Sequence, residues 1–261
     1  MTAKNIVIEV AAGTASVIMN RPEVHNAFND AVIAELTEAL RDLGNDPRVR
    51  IVLLKGAGES FCAGAEVAWM QKAAAFTQEQ NFTDALALAE LLRTLDQLPK
   101  PTIAVVQGPA FGGGVGLVAA CDIALAATSA SFCLSEVKLG LIPSVISPYV
   151  IAGIGERASR RYFLTAERFC ARDAYRLGLV HEVVPDDELK ERSHIFAEQL
   201  QTGGPQAQAA VKELIREIAH RPVDQTLIEE TARRIALQRA SEEGREGISA
   251  FLGKRKPAWT A

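Results

Sequence analysis

The chain lacks paired cysteines and any long apolar run. None of its four cysteines lies in a Cys-x-x-Cys pair. Disulfide frameworks and zinc sites are built from such pairs, so we expect reduced thiols in a cytoplasmic protein. No apolar run is long enough to span a bilayer, and we expect no membrane partner. Residues 1–5 have neither the apolar core of a signal peptide nor the arginine and serine content of a transit peptide.

The chain also lacks an excess of positive charge. Its 28 Lys and Arg residues face 32 Asp and Glu residues, for a formal net charge of −4, and only 6% of the residues are aromatic. Nucleic-acid-binding proteins carry basic patches, often interleaved with aromatic side chains, so we expect no nucleic-acid partner. The four histidines show no HxH or HExxH spacing, and we therefore expect no metal site.

Three glycine motifs with known chemistry are absent as well. The sequence contains no Gly-x-x-x-x-Gly-Lys-Ser/Thr phosphate loop, no Gly-x-Ser-x-Gly nucleophile elbow and no Gly-x-Gly-x-x-Gly dinucleotide fingerprint. Nucleotide binding through those loops and serine hydrolysis at a nucleophile elbow are therefore not indicated. The glycines of this chain must serve another purpose.

Two glycine-bearing turns lie about fifty residues apart. The first, SFCAGAE, spans 60–66, and the second, GPAFGGGVG, spans 108–116. Each follows an apolar run and precedes a helix-like pattern, so each can present free backbone N–H groups at a helix start. Either turn alone is more simply explained by tight turning or close helix packing. Together, facing one point, they would form a two-donor hole for the enolate of a thioester.

Apolar strand-like runs alternate with helical patterns through most of the chain. We predict strands at 6–10, 14–19, 50–55, 101–106 and 122–126, and helices at 30–43, 81–98 and 113–121. This strand, helix, strand order implies parallel pairing. After about residue 184 the pattern becomes helical, with helices at 186–200, 206–220, 223–240 and 242–252. We divide the chain into a core, 1–190, and a helical region, 191–261.

An ordered set of motifs resembles the enoyl-CoA hydratase/isomerase (crotonase) superfamily. The matching pieces are NRP at 20–22, FCAGA at 61–65, FGGG at 111–114, SEVKLGLIP at 135–143, and Phe251 with KR at 254–255. They follow the family order and cover essentially the whole chain. The resemblance implies the α/β crotonase fold, in which repeated ββα units form two roughly perpendicular sheets. It also implies that the C-terminal helices support a homotrimer or a homohexamer.

The resemblance further implies a role for each matching residue. It assigns the oxyanion donors to the N–H groups of Ala65 and Gly113, and the acid/base role to Glu136. The partner is an acyl-CoA thioester; because coenzyme A is part of this substrate, no separate cofactor is implied. The implied substrate-binding positions are Val24, Ala27, Ala63, Gly64, Glu66, Trp69, Gly112, Ser144, Phe251 and Lys254.

Three of these positions also have a plainer interpretation. Lys254 lies in a short basic segment that is typical of a solvated tail, whereas the resemblance directs it to a CoA phosphate, including one bound by a neighbouring subunit. Glu66 can begin the following helix, where a carboxylate is favourable, or line the pocket. Trp69 can form the wall of the acyl-chain site or pack in the core.

The acid/base machinery departs from the family pattern at one position. Many hydratases of the family use two glutamates, and the first of these positions is Gly116 here. The second is Glu136, in the largely apolar stretch 132–137, where burial should raise its pKa toward neutrality; a surface glutamate is the alternative. A single carboxyl group favours a 1,3-proton shift, the reaction of a Δ3-Δ2-enoyl-CoA isomerase.

A closer resemblance favours hydration. Segments 111–117, 142–150 and 254–259 are similar to bacterial methylglutaconyl-CoA hydratases and related enzymes. We therefore predict an enoyl-CoA hydratase for a branched or carboxylated acyl group, with Glu136 acting alone. Its water would be held by Ser144, by backbone groups near Gly116, or by a distal carboxylate of the substrate. The isomerase and a non-catalytic acyl-CoA-binding member are the alternatives.

Overall fold

The structure, a computed structural model, describes residues 5–260. Its strands are β1 (Ile6–Ala11), β2 (Thr14–Met19), β3 (Ile51–Gly56), β4 (Thr102–Val106), β5 (Ala110–Phe111), β6 (Ile123–Ala127), β7 (Ser131–Cys133), β8 (Phe169–Cys170) and β9 (Glu182–Val184). Its α-helices are α1 (Asp30–Asn45), α2 (Val67–Ala73), α3 (Gln78–Asp96), α4 (Gly113–Ala120), α5 (Ser147–Thr165), α6 (Ala171–Leu177), α7 (Leu189–Gln201), α8 (Pro205–Ile218), α9 (Gln225–Ala240) and α10 (Glu242–Leu252). Residues 1–4, for which the sequence predicts no leader, and residue 261 lie outside the described residues.

Six strands form the main sheet, in the order β1-β2-β3-β4-β6-β9. The hairpin of β1 and β2 is antiparallel, and its turn uses Ala12 and Gly13 at positive φ, as two-residue hairpins require. All other neighbours in this sheet are parallel, as the strand, helix, strand order predicted. The parallel strands β2, β3 and β4 therefore all end at the same edge of the sheet, which we call the carboxyl edge. The strands β3, β4 and β6 all begin at the opposite edge, which we call the amino edge.

A second sheet holds three short strands in the order β5-β7-β8. β5 pairs with β7 in parallel, and β7 pairs with β8 antiparallel. Just past β5, the Gly112 N–H donates to the Cys133 carbonyl over 2.9 Å. This pairing brings the chain that follows β7, including Glu136, beside the second glycine turn.

The central strands β3, β4 and β6 of the main sheet are buried on both faces, which explains their continuous apolar sequences, whereas the edge strand β1 is largely exposed. In β3, Val52 and Leu54 pack into a cluster with side chains of α1, α3 and α4, while Ile51 and Leu53 face the opposite side. That opposite side is covered by α7, through Leu189 and Ala197 among others. Each fully buried aliphatic side chain stabilises the fold by about 1.5–3 kcal/mol.

The C-terminal helices attach at the amino edge of the main sheet. The Arg50 guanidinium, just before β3, donates to the carbonyls of Gly203 and Trp259 over 2.7 and 3.2 Å. Lys212 of α8 forms an ion pair of 2.6 Å with Asp122, just before β6. The four predicted C-terminal helices correspond to α7 to α10. The boundary drawn at 190/191 falls inside α7, and because α7 packs under the sheet the core extends through α7.

Sequence patterns gave no bounds for α2, α5 and α6. The longest of these, α5, is interrupted at Gly155, where φ is 77° and ψ is 161°. Because of that break, the apolar residues of the two halves do not follow one continuous helical period, so the sequence pattern does not detect the whole helix.

Candidate active site

The first glycine turn is held by residues 21–28, a strip of chain that follows β2. The Phe28 N–H donates to the Gly64 carbonyl and the Glu66 N–H donates to the Phe28 carbonyl, both over 2.7 Å. In this parallel bridge Ala65 lies opposite Phe28, and the ladder uses the groups on either side of Ala65 rather than its own N–H. The Ala65 N–H finds no acceptor among residues 5–260.

The second glycine turn begins α4 with an unusual backbone conformation. Gly112 has φ 49° and ψ −117°, which only glycine adopts without strain. Gly113 is the first residue of α4, so its N–H has no partner inside the helix, and no acceptor for it lies elsewhere in the described chain. The partial positive charge of the helix N-terminus adds to the affinity of this N–H for negative charge.

The structure brings the two turns into direct contact. The Phe111 N–H donates to the Cys62 carbonyl over 2.9 Å. A Cβ atom added to Gly64 would lie 3.1 Å from the Phe111 carbonyl oxygen, and one added to Gly114 would lie 2.5 Å from the Cys62 carbonyl oxygen. Glycine is therefore required where the two backbones cross, and two unpartnered N–H groups lie in neighbouring turns.

Glu136 places its carboxyl group against the second turn. It opens the 3-10 helix Glu136–Leu139 after β7, and its Oε1 would lie 3.2 Å from a Cβ atom on Gly112. Its Oε2 is buried without a hydrogen-bond partner among the described residues. Burial raises the pKa of the Glu136 carboxyl above its ordinary value, because desolvation disfavours the charged form. This half-buried group differs from the surface glutamate of the alternative interpretation.

Gly116 lies one helical turn after Gly113 and has no room for a side chain. A Cβ atom there would overlap the Cγ2 atom of Ile146. Its N–H donates to the Gly112 carbonyl over 3.2 Å within the helix, and the residue is buried. The backbone near Gly116 is thus engaged and covered, so it is a poor place to hold a water molecule.

The other predicted positions near the turns have mixed surroundings. Ala27 is buried, and its carbonyl accepts a hydrogen bond of 2.9 Å from Arg21. Val24 and Ala63 are half-buried beside the first turn, and Ser144 is exposed in the loop before α5. Trp69 packs against the core, as one of its two interpretations predicted.

Glu66 is engaged by protein groups. Its Oε2 lies 2.8 Å from Arg21 Nη1 and accepts a hydrogen bond of 2.9 Å from Asn29 Nδ2. The Arg21 hydrogen bond is the main cause that lowers the pKa of Glu66. These contacts give Glu66 a structural task, and its predicted place in the pocket stays a prediction.

Phe251 and Lys254 are not brought to the turns within one chain. Phe251, near the end of α10, is 82% exposed, and Lys254 is exposed just beyond that helix. This C-terminal segment contacts α8, α9 and the amino edge. Their predicted role at CoA stays a prediction that needs a neighbouring subunit.

Two side chains that sequence reasoning gave no role support the first turn. Asn26 is buried at a positive φ of 56°, and its Nδ2 donates to the carbonyls of Ala57 and Ser60 over 2.9 and 2.7 Å. Gln107 Nε2 donates to the Gly56 and Ser60 carbonyls, both over 2.9 Å. The position of Asn26 shortly after the NRP motif is a sequence signal that could have indicated it, whereas nothing in the sequence singles out Gln107.

Neither a metal-ligand cluster nor a membrane-crossing helix occurs between residues 5 and 260. No three side chains of His, Cys, Asp or Glu converge there in a way that could hold a metal ion. No helix in that range combines the length and the apolar character needed to cross a bilayer.

The chain is similar to known proteins over nearly its whole length. A family model described as Enoyl-CoA hydratase/isomerase matches residues 9–261. A solved enoyl-CoA hydratase from Shewanella pealeana is 45% identical, with a TM-score of 0.96 over 99% of this chain and 97% of that one. A crotonyl-CoA hydratase from Syntrophomonas wolfei and a 1,2-epoxyphenylacetyl-CoA isomerase from Escherichia coli are each 33% identical over 98% of both chains. Because these relatives include hydratases and an isomerase, similarity alone does not say which reaction this chain catalyses.

Proposed function

Because the chain belongs to the enoyl-CoA hydratase/isomerase family, and is thus an enzyme of the crotonase superfamily, we propose that it adds water to a 2-enoyl-CoA thioester. One observation carries the proposal: two unpartnered N–H groups, of Ala65 and Gly113, lie in touching turns beside the half-buried carboxyl group of Glu136. We propose a branched or carboxylated acyl group, of the methylglutaconyl-CoA type, as the substrate.

The two N–H groups stabilise the enolate. The thioester carbonyl oxygen accepts hydrogen bonds from Ala65 and Gly113, and these bonds strengthen when oxygen bonds to C3 and negative charge moves onto the thioester oxygen. Donors fixed in the protein are already oriented for that charge, so they need no reorganisation during the reaction. The loss of one such donor typically costs about 10²–10³ in rate.

Glu136 moves the proton in both directions. As the water oxygen bonds to C3, the Glu136 carboxylate takes one proton from water and then gives a proton to C2. The substrate gains one water in total, and the carboxylate is regenerated. A pKa raised by burial suits a group that must accept and release a proton near neutral pH. Because the backbone near Gly116 is covered, Ser144 or a carboxylate at the far end of the acyl group remains to hold the water.

The isomerase is the second candidate, and a specific observation favours it. Ile146 fills the space beside Gly116, so Glu136 is the carboxyl group available at the second turn. One carboxyl group is sufficient to move a proton from C2 to C4 through the same enolate, without water.

A turnover assay separates these functions. Purified protein is incubated with 3-methylglutaconyl-CoA, crotonyl-CoA and a 3-enoyl-CoA, and the products are followed by mass. A gain of one water, fastest on the glutaconyl substrate, supports the proposal. A double-bond shift without mass change makes the chain an isomerase, and binding without turnover on all three makes it an acyl-CoA-binding protein.

We also propose that the chain forms a homotrimer or a homohexamer. Several large apolar side chains are exposed on the C-terminal helices, namely Val211, Ile215, Ile228, Ile235, Leu237, Ile248, Phe251 and Leu252. Burying them in a subunit interface removes this apolar surface from water, and it would bring Phe251 and Lys254 to the CoA of a neighbour. Light scattering on the purified protein measures the assembly, and a monomeric mass contradicts it.

A further inference from the structure

We propose that Arg21 is a positioning residue of the oxyanion hole, which it maintains by neutralising Glu66 next to the Ala65 donor. The inference rests on the proposed function, because it concerns the same two N–H groups. Arg21 touches neither substrate nor reacting atoms in this role and acts through Glu66 and the strip of chain around Phe28.

Arg21 and Glu66 form a mostly buried ion pair across the first turn. Arg21 Nη1 lies 2.8 Å from Glu66 Oε2, and the two side chains are 15% and 20% exposed. The same Nη1 donates to the Ala27 carbonyl over 2.9 Å. Asn29, the N-cap of α1, adds a hydrogen bond to the same carboxylate oxygen. The carboxylate of Glu66, the residue that follows Ala65, is thereby fixed against Arg21 and Asn29.

The charge of Glu66 is opposed to the task of its neighbour. Ala65 must stabilise negative charge on a thioester oxygen, and a carboxylate on the adjacent residue repels that charge. The hydrogen bond from Arg21 also keeps Glu66 ionised, since it lowers the pKa of this carboxyl. The other charges near it, Asp30 and its partner Lys72, are exposed. Arg21 is thus the cation that cancels Glu66 at close range.

Arg21 also orients the strip that pairs with the first turn. Its N–H donates to Asn26 Oδ1 over 2.9 Å, and its carbonyl accepts from the Asn26 N–H over 2.9 Å. Asn26 in turn donates to the carbonyls of Ala57, before the turn, and of Ser60, its first residue. The direction of the Ala65 N–H therefore depends on Arg21 through both its side chain and its backbone, and the side-chain part is open to mutation.

The test uses the opposite signs of the two charges. Wild type, Arg21→Met, Glu66→Gln and the double variant are each loaded with butyryl-CoA labelled with ¹³C at the thioester carbonyl, which has no double bond to react. The infrared shift of the labelled carbonyl on binding reports the strength of the oxyanion hole. We expect the shift to fall in Arg21→Met, to rise in Glu66→Gln, and to return toward wild type in the double variant.

Turnover should follow the first of these changes. We expect kcat of Arg21→Met to fall by about 10–100-fold, less than for the loss of a whole donor, with a small change in KM. The double variant should recover part of that loss, since it leaves no unpaired carboxylate beside Ala65. The matched control is Arg192→Met, which breaks the 2.6 Å Arg192–Glu182 ion pair between α7 and β9 and should change neither the carbonyl shift nor kcat.

The outcomes separate this inference from the function on which it rests. If wild-type protein does not shift the carbonyl, the oxyanion hole itself is wrong. If wild type shifts it and both single variants change the shift in the same direction, the pair is merely structural and the role of Arg21 is overturned. Should Arg21→Met fail to fold, Glu66→Gln decides alone: an increased shift supports the inference, and an unchanged or reduced shift overturns it.

Discussion

At the amino edge of the main sheet, Asp122 Oδ2 accepts hydrogen bonds from the Thr102 N–H, the Thr102 hydroxyl and Lys212 Nζ. At the carboxyl edge, Glu136 Oε2 is buried without a partner, and the N–H groups of exposed Ala65 and half-buried Gly113 find no acceptor in the described chain. Buried polar groups are normally paired, because leaving one unpaired costs about 1–3 kcal/mol. The hydrogen bonds and the ion pair at the amino edge thus stabilise the attachment of the C-terminal helices, although Arg50 Nε there is also buried without a partner. At the carboxyl edge, the unpaired groups are a carboxyl oxygen and two N–H groups in adjoining turns, which a substrate can satisfy.

Removing the acid/base group Glu136 from the carboxyl edge should have the largest effect on activity. We expect Glu136→Gln to lower kcat by at least about 10²–10⁴-fold, the range of general acid–base catalysis, while butyryl-CoA still binds. Steady-state turnover and a binding isotherm for butyryl-CoA measure the two effects. A variant that keeps most of its rate would show that another group moves the proton.

The second largest effect on activity should come from adding a side chain at Gly113, the first residue of α4 in the second turn. A Cβ atom on Gly113 would lie 2.7 Å from Phe28 Cε2, so Gly113→Ala must displace either the helix start or Phe28, which pairs with Ala65. We expect kcat/KM to fall by about 10²–10³-fold, as for loss of an oxyanion donor.

Gly153→Ala is the matched control for this change. A Cβ atom on Gly153 would have no neighbour within 4 Å, and the residue is exposed in α5. It should leave kcat/KM within about twofold of wild type; an equal loss in both variants would mean that the rate reports general damage rather than the donor.

Removing a paired charge at the amino edge should have the opposite signature. Lys212→Met leaves Asp122 without its cation, and we expect the free energy of unfolding to fall by about 1.5–3 kcal/mol, with kcat per folded molecule unchanged. Urea unfolding and an assay of the same sample measure the two quantities. A large loss of kcat at unchanged stability would contradict the division between the edges.

The smallest effect is a pH-dependent cost of the unpaired carboxyl. Because the pKa of Glu136 is raised in the folded protein by burial, the folded state holds this proton more tightly than the unfolded state. Folding stability is therefore lost as pH rises from the ordinary glutamate pKa through the raised one, and stays lower above it. We expect Glu136→Gln to be more stable than wild type at pH 7, with the difference shrinking as pH falls through that window. Urea unfolding at several pH values checks this. In the wild type, kcat/KM should decrease as pH falls below the same raised pKa, because the protonated carboxyl cannot act as a base.

The sequence predicted β1 to β4 and β6, the parallel pairing that follows the first hairpin, and two glycine turns able to form one hole if they met, for physical reasons. Apolar strands followed by amphipathic helices permit few topologies, and glycines such as Gly112 mark places where backbone must approach backbone. The family motifs then located Glu136, whose burial follows from its apolar neighbours.

Other features depend on distant pairings that no local pattern encodes. The engagement of Glu66 by Arg21 joins positions 45 residues apart, and the bond from Gln107 to Gly56 joins positions 51 residues apart. Ile146 leaves no room for a side chain at position 116, and this exclusion likewise depends on where α5 begins. Such contacts become visible only when the elements are packed together.

The contact between Gly116 and Ile146 also restricts how this chain can evolve. A carboxyl side chain at position 116 has no room while Ile146 occupies the space beside Gly116. Shortening Ile146 first leaves a cavity that lowers the free energy of unfolding by about 2–5 kcal/mol. Each single step is unfavourable, whereas the two together exchange one volume for another. A carboxyl side chain at position 116 should therefore be tolerated in this chain only together with a smaller residue at position 146.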